Sequence, residues 1–333
     1  MAASQVFPRR FAKTETYGTG LMDLGTGAVM FASGVVLGRP PAVSDDAVGN
    51  GAAGGGGSSQ LRRPRRLLAA LPRALTSSWP LVALGLARLV SVKALGYQEH
   101  VSEYGVHWNF FATILCVRIA AAAAHAALAP PLRAPLALAL LLSYQAALSW
   151  SGSGLAAWLM DDGPREGLPF LSQNREGICG LPGFAAVLFV GEDVARRTLW
   201  QPPAPRKAAA ALLHWRLALA RLATAAALLW AAALAARAAL GGPSRRATDL
   251  PYVLWCCAHN ALLLLAVAAV DLYSSRPPGC VLGARVSAAM FPVFAVANLA
   301  TGAVNLAVRT LEAGDGMARA LLALYMVAVC GSA

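Results

Sequence analysis

The chain is dominated by long apolar runs that carry almost no charge. Of its 333 residues, 57% are hydrophobic and only 13% are charged, whereas a soluble domain carries roughly 25% charged residues. A window of about 20 residues, the length of helix that crosses a bilayer, finds about nine apolar segments. They lie near residues 19–38, 79–97, 108–128, 134–150, 177–194, 209–238, 251–272, 285–307 and 316–331. The sequence therefore predicts an all-α, multi-pass transmembrane helical bundle of about nine spans.

Arginine placement orients these spans. Arginines in short loops favour the cytoplasmic side, and they are concentrated in the segment 39–78 and at Arg133, Arg196 and Arg197. Because the segment 39–78 also contains a glycine run, we expect a flexible basic cytoplasmic loop within a single transmembrane domain covering 1–333. Its stretch LRRPRRLLAALPRAL is either a basic amphipathic segment on the membrane surface or an ordinary solvated loop. No basic patch interleaved with aromatic residues indicates nucleic acid as a partner.

The opposite membrane face collects most of the varied polar sequence. It receives the segment before the first span and the blocks 97–111, 171–177 and 241–252. Convergent polar groups at the ends of several helices are typical of a binding pocket. We therefore expect a pocket at this face, built from the ends of several spans.

Ionisable residues at the edge of the first span are the first candidates for chemistry. The stretch FAKTETYGTGLMDLGTG contains Lys13 and Asp23, and charges at such positions are costly unless they are paired or hydrated. Ten residues of continuous helix would separate the two by about 15 Å, but Gly18 and Gly20 permit a break that brings them together. Such a pair either stabilises the helix entrance or removes a proton from a substrate hydroxyl.

Two other span entrances carry polar candidates. The third span opens with Glu103, His107 and Asn109, and the fifth with Asn174 and Arg175. An imidazole is suited to proton transfer, and a guanidinium binds phosphate or carboxylate through two parallel hydrogen bonds. An interfacial or purely structural role remains the alternative for each of them.

The remaining charged and sulfur-containing residues point to no cofactor. Arg245 and Arg246 either contact an anionic lipid head group or anchor their helix at the interface. The six cysteines show neither CxxC nor metal-ligand spacing, so no metal site is predicted. The HxxxxD, GxSxG and Walker motifs of soluble acyltransferases, hydrolases and NTPases are absent from the sequence.

Five separated blocks carry a family resemblance. They are RRFAKTETYGTGLMDLGTG, YQEHVSEYGVHWNFFATI, LSQNREGI, PSRRATDLPYVLW and NLATGAVNL, spread over residues 9–307. Together they closely resemble the PIG-W family, the inositol acyltransferases of GPI-anchor biosynthesis in the endoplasmic reticulum membrane. The resemblance implies acylation of the inositol 2-hydroxyl of glucosaminyl-phosphatidylinositol toward the lumenal side. Acyl-CoA would be the co-substrate, and no further cofactor would be needed.

The resemblance also implies roles for individual residues. Lys13 and Asp23 would carry the reaction, and a second set would shape the substrate pocket: Glu103, His107, Asn109, Asn174 and Arg175. Family members have several more spans before the first block, which implies that spans are missing here. Two other functions stay open, a proton-coupled transporter or lipid scramblase and a non-catalytic membrane subunit. Internal repeats would favour the transporter, and none is evident.

Overall fold

A computed structural model describes residues 11–40, 59–94, 101–200, 208–274, 281–308 and 313–332. Over these ranges the chain consists of helices and turns without a strand, which confirms the predicted all-α class. The α-helices are α1 (Leu24–Leu37), α2 (Ser59–Ser77), α3 (Trp79–Ala94), α4 (Val101–Tyr104), α5 (Phe110–Ala127), α6 (Pro130–Ser149), α7 (Leu155–Met160), α8 (Phe170–Gln173), α9 (Arg175–Cys179), α10 (Leu181–Thr198), α11 (Ala208–Leu240), α12 (Leu250–Tyr273), α13 (Val281–Ala288), α14 (Met290–Ala307) and α15 (Asp315–Gly331).

Six stretches of described helix are long and apolar enough to cross a membrane, or seven if one bent pair is a single span. The multi-pass prediction is therefore confirmed, whereas the count of about nine is not. The difference lies partly in α1 and α15, which have 14 and 17 residues. At 1.5 Å per residue, α1 extends about 21 Å, less than the roughly 30 Å of a bilayer core.

The chain forms two compact units. The larger contains residues 14–19 and 23–268, and the smaller contains residues 11–13 and 20–22 with the described residues after 268. In the smaller unit, α14 packs against α15. In the larger unit, residues 59–77 of the predicted basic loop form α2, while the glycine run at 54–57 lies outside the described residues. The single domain with a flexible loop stays a prediction.

Helix α10 is the central element of the larger unit. It packs against α1, α5, α6 and α11, and 67% of the most apolar window of its span is buried, against 28% or less for the other spans. The other helices leave large apolar side chains exposed, such as Leu136 and Leu140 on α6 and Leu262 and Leu263 on α12. Because helices that are apolar on all sides suit a lipid environment, we assign these exposed faces to the acyl chains.

Helices α1 and α10 approach each other unusually closely. A Cβ at Gly34 of α1 would overlap the carbonyl oxygen of Leu188, and a Cβ at Gly191 of α10 would lie 2.5 Å from the carbonyl oxygen of Phe31. Small residues at such positions let two membrane helices bring their backbones together. The contact fixes α1, and therefore the residues at its start, against the central helix.

Candidate functional site

The loop between α11 and α12 connects the charged residues at one end of the larger unit. We call residues 244–249 the arginine loop, because it carries Arg245 and Arg246. Arg245 is buried, and its Nε lies 3.1 Å from an oxygen of Asp23 while its Nη2 lies 3.2 Å from an oxygen of Glu103. The guanidinium therefore joins the start of α1 to α4, two elements far apart in the sequence.

Asp23 is a fully buried carboxylate at the start of α1. It accepts hydrogen bonds from the backbone N–H of Thr14 at 3.2 and 3.3 Å and from the Thr14 hydroxyl at 3.0 Å. The Tyr252 hydroxyl donates to the Asp23 carbonyl oxygen at 2.8 Å. A buried carboxylate is stable only when its oxygens are satisfied in this way. Lys13 falls in the other unit, and its pairing with Asp23 stays a prediction.

The neighbours of Arg245 favour its charged form. Burial lowers the pKa of this guanidinium, but the charges of Glu103 and Asp23 are among the groups that raise it, and the net pKa lies above its usual value. Tyr104, next to Glu103, has its pKa raised to about 12, chiefly by burial. At neutral pH the site therefore contains a guanidinium ion beside a neutral phenol.

The Asp249 side chain stabilises the arginine loop through hydrogen bonds from its backbone. Its carboxylate accepts from the backbone N–H of Ser244 at 3.1 Å and from that of Tyr252 at 2.9 Å. Thr248 adopts a φ of 51°, an uncommon conformation for a residue with a side chain. The Tyr144 hydroxyl donates to the Ala247 carbonyl oxygen at 2.8 Å. These bonds hold both arginines in place.

Burial changes the acidity of Asp249. Its pKa is raised to about 6 by desolvation, although hydrogen bonds from Ser244 and Tyr252 oppose the change. The carboxyl therefore titrates near neutral pH rather than near its ordinary value of 3.8. Because it lies between the arginines and the start of α12, its protonation state affects the loop that carries the site.

A second cluster surrounds Glu176, which is 2% exposed. Arg165 donates to both of its oxygens, at 2.7 and 2.5 Å, and Arg246 donates to one of them at 3.2 Å. Arg175 Nε lies 3.8 Å from the same carboxylate. The arginine loop therefore contributes one guanidinium to each of the two clusters.

Two aspartates balance the remaining positive charge of this second cluster. Arg246 Nη1 donates to Asp162 at 2.7 Å, and Arg175 donates to the carbonyl oxygen and the carboxylate of Asp161. The pKa of Asp161 is lowered, first by the backbone hydrogen bond from Gly163 and then by Arg175. Three guanidinium groups thus face three carboxylates.

Helix α4 rests against the segment that begins α9. Gly105 has a φ of 120°, and a Cβ there would overlap the backbone of Asn174. The Asn174 side chain accepts from the backbone N–H of His107 at 2.8 Å and donates to the Phe170 carbonyl oxygen. Glycine is needed at Gly105 both for the left-handed backbone and for this close approach. His107 is consequently held at a fixed position.

The structure gathers the predicted pocket residues at one end of the larger unit. Glu103 contacts Arg245, and Asn174 holds the backbone of His107. Asn109 accepts from the backbone N–H of Ala112 at the start of α5 and donates to the Gly85 carbonyl oxygen. The face predicted from polar sequence blocks is therefore a real convergence in space. The substrate-binding roles of these residues stay predictions.

Several residues of the site were missed by sequence reasoning. Arg165, Asp161 and Asp162 lie in a short linker between helices, and Asp249 lies in a block that drew attention only to its arginines. The sequence favours lipid contacts or interfacial anchoring for Arg245 and Arg246, whereas in the structure both are buried ion-pair partners. The signal in the sequence that pointed to these ion pairs was the pair of adjacent arginines, Arg245 and Arg246, on the face rich in polar residues.

The chain is therefore a multi-pass membrane protein in which buried arginines and carboxylates meet at one end of the helices. Buried ionisable residues in a membrane protein mark a functional site. The chain belongs to the GWT1 family, whose model matches residues 4–333.

Individual relatives agree with this assignment. The chain is 35% identical to GPI-anchored wall transfer protein 1 of Gibberella zeae, over 99% of its own length and 67% of that protein's. It is 32% identical to the Schizosaccharomyces pombe protein of the same name, over 98% and 65%. It is 27% identical to the glucosaminyl-phosphatidylinositol-acyltransferase PIGW of Mus musculus, over 98% and 67%. The chain thus spans about two thirds of the length of these relatives.

This membership confirms the family and the class of activity predicted from the sequence. The PIG-W resemblance, an O-acyltransferase and a place in GPI-anchor biosynthesis are all supported by the family and by the name of the mouse relative. The acyl-CoA donor and the endoplasmic reticulum location stay predictions.

Proposed function

We propose that the chain transfers an acyl group from acyl-CoA to the inositol 2-hydroxyl of glucosaminyl-phosphatidylinositol in the endoplasmic reticulum membrane. Family membership supports the type of reaction. The observation that carries the assignment of the site is Asp23, a buried carboxylate in contact with Arg245. Both lie in sequence blocks that resemble the PIG-W family.

Asp23 is the proposed general base. The inositol hydroxyl transfers its proton to the carboxylate, and the oxygen attacks the thioester carbonyl carbon. The carbon–sulfur bond then breaks, coenzyme A leaves as a thiolate, and the proton on Asp23 is released to it. Proton transfer by a positioned carboxylate is an established source of rate enhancement, about 100- to 10,000-fold.

Arg245 supplies positive charge beside the base. It stabilises the ionised carboxylate before the reaction and lies close to the oxygen on which charge develops, where a fixed cation is most effective. On the resemblance alone, Lys13 is proposed to steady the same developing negative charge. The mechanism requires no covalent enzyme intermediate.

The test uses membranes from cells that lack the native enzyme and express this chain. They receive labelled palmitoyl-CoA and glucosaminyl-phosphatidylinositol, and the labelled acyl-lipid is quantified. We expect product from the wild type and a loss of about 100-fold or more for Asp23→Asn, which keeps the shape but removes the base. The matched control is Asp315→Asn, which alters an exposed aspartate at the start of α15.

Three results would contradict the proposal or a part of it. Absence of product from the wild-type chain, despite normal amounts of protein in the membrane, would contradict the enzyme and favour a non-catalytic subunit. Full activity of Asp23→Asn would leave acyl transfer in place but remove Asp23 from the chemistry. Movement of labelled lipid between leaflets without acylation would favour a scramblase.

A further inference from the structure

A cavity of about 710 Å³ with several charged and polar lining residues lies beside the Glu176 cluster. Residues of α4 and its following turn, among them Ser102 and His107, line one side. The linker 161–167, with Asp162, Arg165 and Glu166, lines the other. Its volume lies in the range of about 300 to 1,000 Å³ that is usual for pockets holding small ligands. It is large enough for a sugar–inositol phosphate head group.

The linker side of the cavity carries an excess of negative charge. Arg165, Arg175 and Arg246 are matched by Glu176, Asp161 and Asp162, so these six groups balance. Glu166, an exposed carboxylate on the same wall, adds one negative charge beyond this balance. Asp162 also keeps 73% of its side chain exposed although it is paired with Arg246.

A positive charge lies next to the opposite wall, which is lined by His107. Lys93 Nζ lies 3.1 Å from His107 Nδ1. Because an ammonium group only donates, Nδ1 is the acceptor, and the proton of the neutral imidazole is on Nε2. The imidazole of this wall therefore offers a hydrogen-bond donor, and the lysine cation lies beside that imidazole. Asn174 fixes this arrangement by accepting from the backbone N–H of His107.

We propose that this cavity binds a zwitterionic head group, with an ammonium group toward Glu166 and Asp162 and a phosphodiester toward Lys93 and His107. A lipid that joins an unmodified amino sugar to inositol phosphate has these two charges. The inference rests on the proposed function, because it assigns the recognition of the substrate's free amine to the linker 161–167. It makes Glu166 a specificity-determining residue.

The test compares two lipids that differ only at the amine. Short-chain glucosaminyl-phosphatidylinositol and its N-acetylated form, which has lost the charge, are titrated against the purified chain and its variants, and both binding and acyl transfer are measured. We expect the wild type to prefer the free amine and Glu166→Gln to weaken that binding roughly fivefold, the effect of losing one exposed ion pair. Binding of the N-acetylated lipid should not change. Glu166→Lys should weaken binding of the free amine further.

The control is Asp271→Asn, which alters an exposed carboxylate at the end of α12 and should leave both lipids unaffected. Lys93→Gln should weaken both lipids equally, because both retain the phosphodiester. The proposal would be overturned if the ratio of the affinities for the free-amine lipid and the N-acetylated lipid were the same in the wild type and in Glu166→Lys. Binding that follows these expectations without any acyl transfer would retain the subsite and refute the proposed function instead.

Discussion

Glu176 is one carboxylate among three guanidinium groups, and its burial makes the arrangement vulnerable. Each ion of such a cluster loses several kcal/mol of hydration, which only its partners repay. We expect Glu176→Gln to destabilise the folded chain by about 3 to 5 kcal/mol, because it leaves Arg165 and Arg246 buried with too little negative charge. Thermal unfolding of the detergent-purified protein measures this, with Asp271→Asn as the control. A melting temperature equal to wild type would contradict the role given to Glu176.

Arg245 acts through the geometry of its guanidinium. Two of its nitrogens reach separate carboxylates, Asp23 and Glu103, at 3.1 and 3.2 Å. Lysine keeps the charge but has a single nitrogen, so it cannot hold both at once. We expect Arg245→Lys to fold normally and to lose roughly tenfold or more in acyl transfer, equivalent to about 1.4 kcal/mol. The labelled palmitoyl-CoA assay measures this, and wild-type turnover would show that charge alone suffices.

The sequence predicted the positions of individual site residues better than it predicted their ion-pair partners. The locations of Asp23, Glu103 and Asn174 on one face followed from where polar blocks interrupt apolar spans. Their contacts did not follow, because Arg245 meets Asp23 across more than 200 residues of sequence. Which ions pair depends on the packing of several helices together, and no local spacing contains that information.

At the scale of helices, the close contact of α1 with α10 determines where Asp23 is held. We expect Gly34→Ala to lower the melting temperature and the acyl-transfer rate together, because the new methyl group overlaps the Leu188 carbonyl oxygen and pushes α1 away. Gly25→Ala, in the same helix but with nothing within 4 Å of its Cβ, should be neutral or slightly stabilising. Equal behaviour of the two variants would show that the contact is not tight.

The helices themselves were largely predictable. The segments 108–128, 209–238 and 251–272 correspond to α5, α11 and α12, because an apolar run of span length specifies a membrane helix almost by itself. Breaks were harder to foresee. The segment 285–307 is divided into α13 and α14, and α9 precedes α10 where one helix was expected, since breaks depend on local backbone geometry rather than on hydropathy.

For the molecule as a whole, Asp249 makes stability depend on pH. Its pKa is about 6 in the folded chain and 3.8 as an ordinary aspartate, so the folded state binds the proton more tightly. The contribution of this group to the free energy of unfolding is therefore highest below pH 3.8 and declines as the pH rises to about 6. We expect Asp249→Asn to lack this decline, because an amide does not titrate. The variant should still fold, since the amide oxygen can accept from the backbone N–H groups of both Ser244 and Tyr252. Melting temperatures across this range test it, and an unchanged pH profile in the variant would contradict it.

The two ends of the larger unit differ in a way that predicts its orientation in the membrane. Glu176 and Glu192 are 16 residues apart on the span Arg175–Thr198, which separates them by about 24 Å along a helix. Near Glu192 lie Arg133, bonded to it at 2.5 Å, and the exposed Arg197. Exposed basic residues in short loops favour the cytoplasmic side. The arginines at the Glu176 end are instead buried in ion pairs, so we expect that end to face the lumen.

Cysteine labelling in sealed microsomes tests this orientation. A membrane-impermeant maleimide should modify Arg197→Cys directly, but Gly163→Cys, in the linker beside the cavity, only after the membrane is opened by detergent. The chain's own cysteines provide the background, which is measured on the wild type under both conditions. The opposite pattern would place the site on the cytoplasmic side. The amino-sugar lipid would then have to be acylated there, and the orientation inferred from the arginines would be wrong.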